Sequence, residues 1–139
     1  MAFVLDASVA VSWCFPGDPT EDRPYGRRVL AALATEDAIV PELWGYEIAN
    51  SVFISFSRRK RISTAQIDEY LRLLKALPIS VETRDLWSNV DLQSRARQWN
   101  LTVYDAAYLD LALRRDLRLA TADEELKRVA VAEGVKILT

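Results

Sequence analysis

The amino-acid sequence predicts an α/β sandwich around a mostly parallel sheet, and three observations carry that expectation. Ala2-Phe3-Val4-Leu5 is an apolar run without alternation, the pattern of a strand buried on both faces. It meets Asp6 and then the small-residue stretch Ala7-Ser8-Val9-Ala10, which reads as a helix start, so a carboxylate stands at the carboxyl end of a central strand. Apolar runs and helical stretches then alternate in the order β-α-α-β-α-α-β-α-α-β-α-β, as expected of crossovers between parallel strands. At 139 residues the chain suffices for one domain, residues 1–139, with a substantial core.

The elements follow in order. After the first strand, residues 8 to about 15 read as a short helix stopped by Pro16-Gly17-Asp18-Pro19. Pro24 suits the first turn of a second helix, whose Val29, Leu30 and Leu33 give an apolar face through Thr35. Ala38-Ile39-Val40 is a second strand, and Pro41 opens a long helix over residues 42 to about 60. That helix ends in Arg58, Arg59, Lys60 and Arg61, where cations complement the helix dipole. Ser63 and Gln66 form a capping box ahead of the stripe Ile67, Tyr70, Leu71, Leu74 and Leu77. Ile79-Ser80-Val81 is a third strand, residues 84–99 one helix with Asn100 as its stop, and residues 101–113 a further helix with Asp105 in its first turn. Residues 117–121 form a fourth strand, 122–133 a last helix ended by Gly134, and 135–138 a last strand.

Composition narrows the chemistry. Eighteen Lys and Arg against twenty Asp and Glu give a formal charge of -2, so nucleic-acid binding requires a local basic patch. The single cysteine, Cys14, excludes an internal disulfide and a thiolate zinc cluster, and fits a reducing cytoplasm. No apolar run approaches the roughly 18 residues of a membrane span, and the N-terminus lacks a secretory pattern. There is no histidine, which excludes Ser-His-Asp and Cys-His nucleophiles and HExxH zinc sites within this chain. Catalysis here falls to carboxylates, with or without a metal.

Four carboxylates stand out: Asp6 after the first strand, Glu47 in the helix after the second, Asp105 opening a helix, and Asp123 past the strand ending at Thr121. Capping accounts for Asp6, for Asp105, and for a box of Thr121 with Glu124 taken singly. It does not account for Glu47, which lies beyond the first turn. A parallel sheet also sends its strand-to-helix junctions to one edge, the edge where ligands bind. Two like charges 4 Å apart there repel by ~4 kcal/mol at an effective dielectric near 20, so the cluster calls for a hard cation. Oxygen-only ligands select Mg²⁺ or Mn²⁺. Asp110, five residues after Asp105 and about 140° around the helix, is expected to face away as a solvated surface charge.

Together these segments resemble a PIN-domain ribonuclease, specifically the toxin of a VapBC-type toxin–antitoxin pair. The resemblance is carried by Val4-Leu5-Asp6-Ala7-Ser8, by residues 41–50 (Pro41-Glu42-Leu43-Trp44-Gly45-Tyr46-Glu47-Ile48-Ala49-Asn50), by Tyr104-Asp105-Ala106-Ala107-Tyr108-Leu109, and by Ala120-Thr121-Ala122-Asp123-Glu124-Glu125-Leu126. It implies a three-layer α/β/α fold, Mg²⁺- or Mn²⁺-dependent endonucleolytic cleavage of RNA, homodimerisation, and inhibition by a VapB-like antitoxin that lays a segment across the active site. Asp6, Glu47, Asp105 and Asp123 match its acidic quartet, and Ser8 and Thr121 the small hydroxyl residues beside it.

Two further expectations concern partners. Arg58, Arg59, Lys60 and Arg61 are the densest candidate path for RNA phosphates. Trp13, Phe15, Trp44, Tyr46, Phe53 and Phe56 are expected in the core or an interface, with Trp44/Phe53 and Tyr70/Leu74 as walls for a partner helix. The competing classes are a non-enzymatic Mg²⁺-binding receiver-like module and an RNA- or protein-binding module. The first is disfavoured because Asp6 is followed by Ala7 rather than a second acid.

Overall fold

A computed structural model describes residues 1–15, 23–58, 60 and 62–139. The loop beginning Pro16-Gly17-Asp18-Pro19 and two of the basic residues, Arg59 and Arg61, lie outside the described residues.

The strands are β1 (Ala2–Leu5), β2 (Asp37–Pro41), β3 (Ile79–Glu82) and β4 (Arg118–Ala120). They form one sheet in the order β3-β2-β1-β4, every pair parallel, with Val4 opposite both Ile39 and Leu119. The helices are α1 (Ala7–Ser12), α2 (Pro24–Ala32), α3 (Leu43–Ser57), α4 (Thr64–Ala76), α5 (Leu86–Val90), α6 (Leu92–Trp99), α7 (Val103–Arg115) and α8 (Glu124–Ala132). The central strand is buried on both faces, as its unbroken apolar run requires. Phe3 and Leu5 join a core with α1, α2 and α4, while Val4 joins a second core with α6, α7 and α8. Full burial of such side chains contributes about 1.5–3 kcal/mol each. The α/β/α layering with a parallel sheet is therefore present.

Local chemistry explains where the elements stop. Ser63 and Gln66 close the expected capping box, the Ser63 amide donating to Gln66 Oε1 at 2.8 Å and the Gln66 amide to Ser63 Oγ at 3.2 Å. Asn100 ends α6 in the left-handed region (φ 52). Three expectations are corrected. The helix over 84–99 is two helices, because Asp85 caps α5 by accepting from the Ser88 amide at 2.9 Å and the chain turns at Asp91. The long helix ends at Ser57 rather than near residue 60, and Lys60 takes φ 52. The last strand reduces to one bridge, Leu119 with Ile137, since three-residue β4 presents only the two backbone groups of Leu119 on that side.

Candidate active site

The parallel sheet delivers the carboxyl ends of β1 and β4 to the same edge, and Asp6 sits at the first of them. It caps α1, its backbone amide donating to the Ala120 carbonyl at 2.9 Å, and it is only 4% exposed. The hydroxyls of Ser8 and Thr121 both donate to its Oδ2 at 2.7 Å. Each hydroxyl also accepts a backbone amide: Ser8 from Ala122 of the facing loop at 3.1 Å, Thr121 from Asp123 of its own loop at 3.0 Å. Both hydroxyls thereby stitch the β1–α1 junction to the β4–α8 junction. The Thr121–Glu124 capping box does not form. Asp123 caps α8 instead, accepting from the Leu126 amide at 2.9 Å, because the Thr121 hydroxyl is turned to Asp6.

Asp105 lies in the first turn of α7, and its amide donates to Thr102, the cap, at 3.1 Å. Glu47, half-buried on α3, accepts from the Tyr108 hydroxyl at 2.5 Å. That hydroxyl also accepts from the Ala7 amide at 3.4 Å, so a fully buried tyrosine joins Glu47 to the residue after Asp6. Tyr108 lies within the segment Tyr104-Asp105-Ala106-Ala107-Tyr108-Leu109, yet the sequence alone assigns it no role. The available signal was its position three residues after Asp105, on the same face of the helix.

The electrostatics couple the four acids. Burial pushes Asp105 up to about 6, and the charges of Asp123 and Asp6 add to that against a hydrogen bond to Thr102. Burial raises Asp6, with Asp123 adding and the Thr121 and Ser8 hydrogen bonds opposing. Burial also raises Glu47, with Asp6 and Asp105 adding and Tyr108 opposing. Among the described residues no Lys or Arg forms an ion pair with any of the four. Carboxylates whose charges act on one another, without an ion-paired cationic side chain among the described residues, have the donor chemistry that a hard divalent cation prefers. They are not gathered into a closed cage: among the described residues no three acidic, Cys or His side chains stand together as a metal-holding group.

Asp110 is corrected. It is 5% exposed rather than solvated, and it lines a pocket together with Tyr46 and Tyr104. Arg84 Nη1 and Arg114 Nε lie 3.1 and 2.7 Å from its Oδ2, and Arg95 Nε 3.7 Å from Oδ1. Arg114 and Arg115 also pair with Glu82, at 2.6 and 2.8 Å. The aromatic expectations divide. Trp13 and Phe15 are buried and Trp44 touches both cores, whereas Tyr46, Phe53 and Phe56 are exposed. Arg58 and Lys60 are exposed at the end of α3.

The family model of the PIN domain matches residues 3–132. The chain belongs to the PIN domain family. PIN domains are generally nucleases. The same PIN domain is similar to solved structures. The structure of PAE2754 from Pyrobaculum aerophilum matches with a TM-score of 0.66 at 22% identity, over 93% of this chain and 87% of that one. That of FitAcB from Neisseria gonorrhoeae matches with 0.63 at 17% identity, over 100% and 97%. That of VapBC2 from Rickettsia felis, bound to a DNA fragment from their promoter, matches with 0.62 at 13% identity, over 99% and 98%. At these identities the likeness shows the PIN fold. A comparison with curated proteins gave no match.

Proposed function

We propose that this PIN domain is a Mg²⁺- or Mn²⁺-dependent endoribonuclease of the cytoplasm, the toxin of a VapBC-type pair inhibited by a VapB-like antitoxin. The observation that carries the reading is the mutual coupling of Asp6, Glu47, Asp105 and Asp123 through their charges, in a chain without histidine. The fold shared with VapBC2 supports the toxin assignment. The lone, buried Cys14 and the lack of any described helix long and apolar enough to cross a membrane are consistent with that setting.

Asp6, Asp105, Asp123 and Glu47 would hold the cation. When bound, it supplies a water of lowered pKa and offsets charge on the attacked phosphate. The chain's own groups do the rest. Ser8 and Thr121 fix the rotamer of Asp6 by donating to one oxygen, which leaves Oδ1 the less engaged. Glu47, its basicity raised by burial and tempered by Tyr108, orients the attacking water and takes its proton. Because water attacks, the ribose 2′-OH is not required.

Surface features support the partners. A groove of ≈ 420 Å³ between α2 and α4, lined by Trp13, Leu30, Tyr70 and Leu73, suits an apolar antitoxin segment. Val81, Leu86, Trp87 and Val90 are exposed around α5 and suit pairing of two copies. Exposed Arg58 and Lys60 offer cations to RNA.

Labelled RNA incubated with the protein in Mg²⁺ or Mn²⁺, with and without EDTA, tests the reading. Cleavage that EDTA abolishes is expected. Asp6→Asn or Asp105→Asn is expected to lose more than the roughly 10–100-fold that a partner of a metal ligand costs. Near-normal rates in both variants overturn the assignment, and acyl-phosphate formation without cleavage favours the receiver-like alternative.

A further inference from the structure

We propose that a pocket at the β2–β3 end of the sheet edge receives an unpaired nucleobase of the RNA strand and so sets the sequence preference of cleavage. The proposal deepens the nuclease reading by naming what binds beside the acids. Because all four strands are parallel, in the order β3-β2-β1-β4, the carboxyl ends of β2 and β3 share an edge with Asp6 and the β4–α8 loop. The pocket opens there, with a volume of ≈ 250 Å³, and its lining includes Tyr46 and Tyr104. Each tyrosine immediately precedes a site carboxylate, Glu47 and Asp105 respectively. Both tyrosines thus share a helix with a site carboxylate, so a strand that continues along the edge from a phosphate at the acids passes the pocket.

The lining chemistry selects a base over other ligands. Tyr46 is 81% and Tyr104 63% exposed, so two aromatic faces stand in water beside an apolar floor that includes Leu43 and Val103. Exposed aromatics of this kind are the stacking platforms of single-stranded nucleic-acid binding. Arg84 adds a planar guanidinium, but its charge is already met by Asp110 at 3.1 Å. A charge-compensated, partly apolar pocket favours a neutral planar ring over a phosphate. Its volume falls below the roughly 300–1,000 Å³ of sites for drug-sized molecules, which fits one ring system rather than a helix.

Two arms test the proposal with the full chain. In the first, fluorescence anisotropy in EDTA measures binding of labelled rA, rC and rU octanucleotides, with no cleavage required. Tyr46→Ala and Tyr104→Ala are expected to weaken the preferred oligonucleotide by about 5- to 100-fold, with Tyr46→Phe and Tyr104→Phe close to the parent protein. In the second, cleavage of a randomised RNA pool in Mn²⁺ is expected to lose its preference at a position flanking the cut in the alanine variants. Unchanged binding and an unchanged preference in folded alanine variants overturn the pocket while leaving the nuclease reading intact. Weakened binding in the alanine variants, together with a parent protein that cleaves no RNA, supports the pocket and overturns the nuclease reading. A changed oligomeric state in sedimentation, with oligonucleotide binding unaltered, overturns the pocket in favour of a contact between copies.

Discussion

Thr121 and Ser8 each give a hydroxyl proton to Asp6 and each take a backbone amide, Ser8 from the facing loop and Thr121 from its own, so the acid's geometry depends on groups that carry no charge. Thr121→Val keeps the shape and removes the donor. It is expected to lower cation affinity or cleavage by about 10–100-fold, with Thr121→Ser retaining most of it, as read by titration calorimetry and RNA cleavage. Tyr108→Phe removes the hydrogen bond that opposes the raised pKa of Glu47, so the Glu47 carboxyl is expected to titrate higher still. The fold is expected to lose about 1–3 kcal/mol in urea unfolding. The acids were legible because three of them stand at junctions where a strand or loop yields to a helix, and capping fails to explain the fourth. Tyr108 was not, since a tyrosine within an apolar helix face reads as core. Asp110 was misread for a related reason: its helical angle from Asp105 gives the side it faces but not what covers that side.

What covers it is an arginine cluster drawn from three elements. Arg84 follows β3, Arg95 lies on α6 and Arg114 on α7, and all converge on one buried carboxylate, with Glu82 of β3 pairing Arg114 and Arg115. This ties the α5–α6 segment and the edge strand to α7. Asp110→Ala is expected to cost about 2 kcal/mol in denaturant unfolding. That lies below the roughly 3–5 of a fully buried pair, because the guanidinium groups still reach water. Such convergence is invisible along the chain, as is the break at Asp91, where the helical pattern continues while Asp85 sets a separate start. Local signals with a self-contained mechanism were readable: the Ser63 and Gln66 box and the Asn100 stop both occur where expected.

For the molecule as a whole, the parallel sheet was the most legible property, because a strand buried on both faces leaves the unbroken run Ala2-Phe3-Val4-Leu5 in the sequence. The acidic edge that follows from it sets the response to pH. Asp105 is shifted from 3.8 to about 6, so the folded cation-free protein binds a proton more tightly than the unfolded chain across that window. Its stability is therefore expected to fall as pH rises from about 4 to about 6, the sign opposite to that of a salt-bridged acid. Thermal melts in EDTA check this, and Asp105→Asn should flatten the profile. At pH 7.5, Mg²⁺ is expected to raise Tm in proportion to the logarithm of its concentration above saturation. The seam between the two junctions has a last consequence, for biosynthesis. Asp6 is translated before Thr121, which secures it and is separated from it by 115 positions. A nascent polypeptide emerging from the ribosome thus carries Asp6 unsecured until β4 and the turn after it have been made.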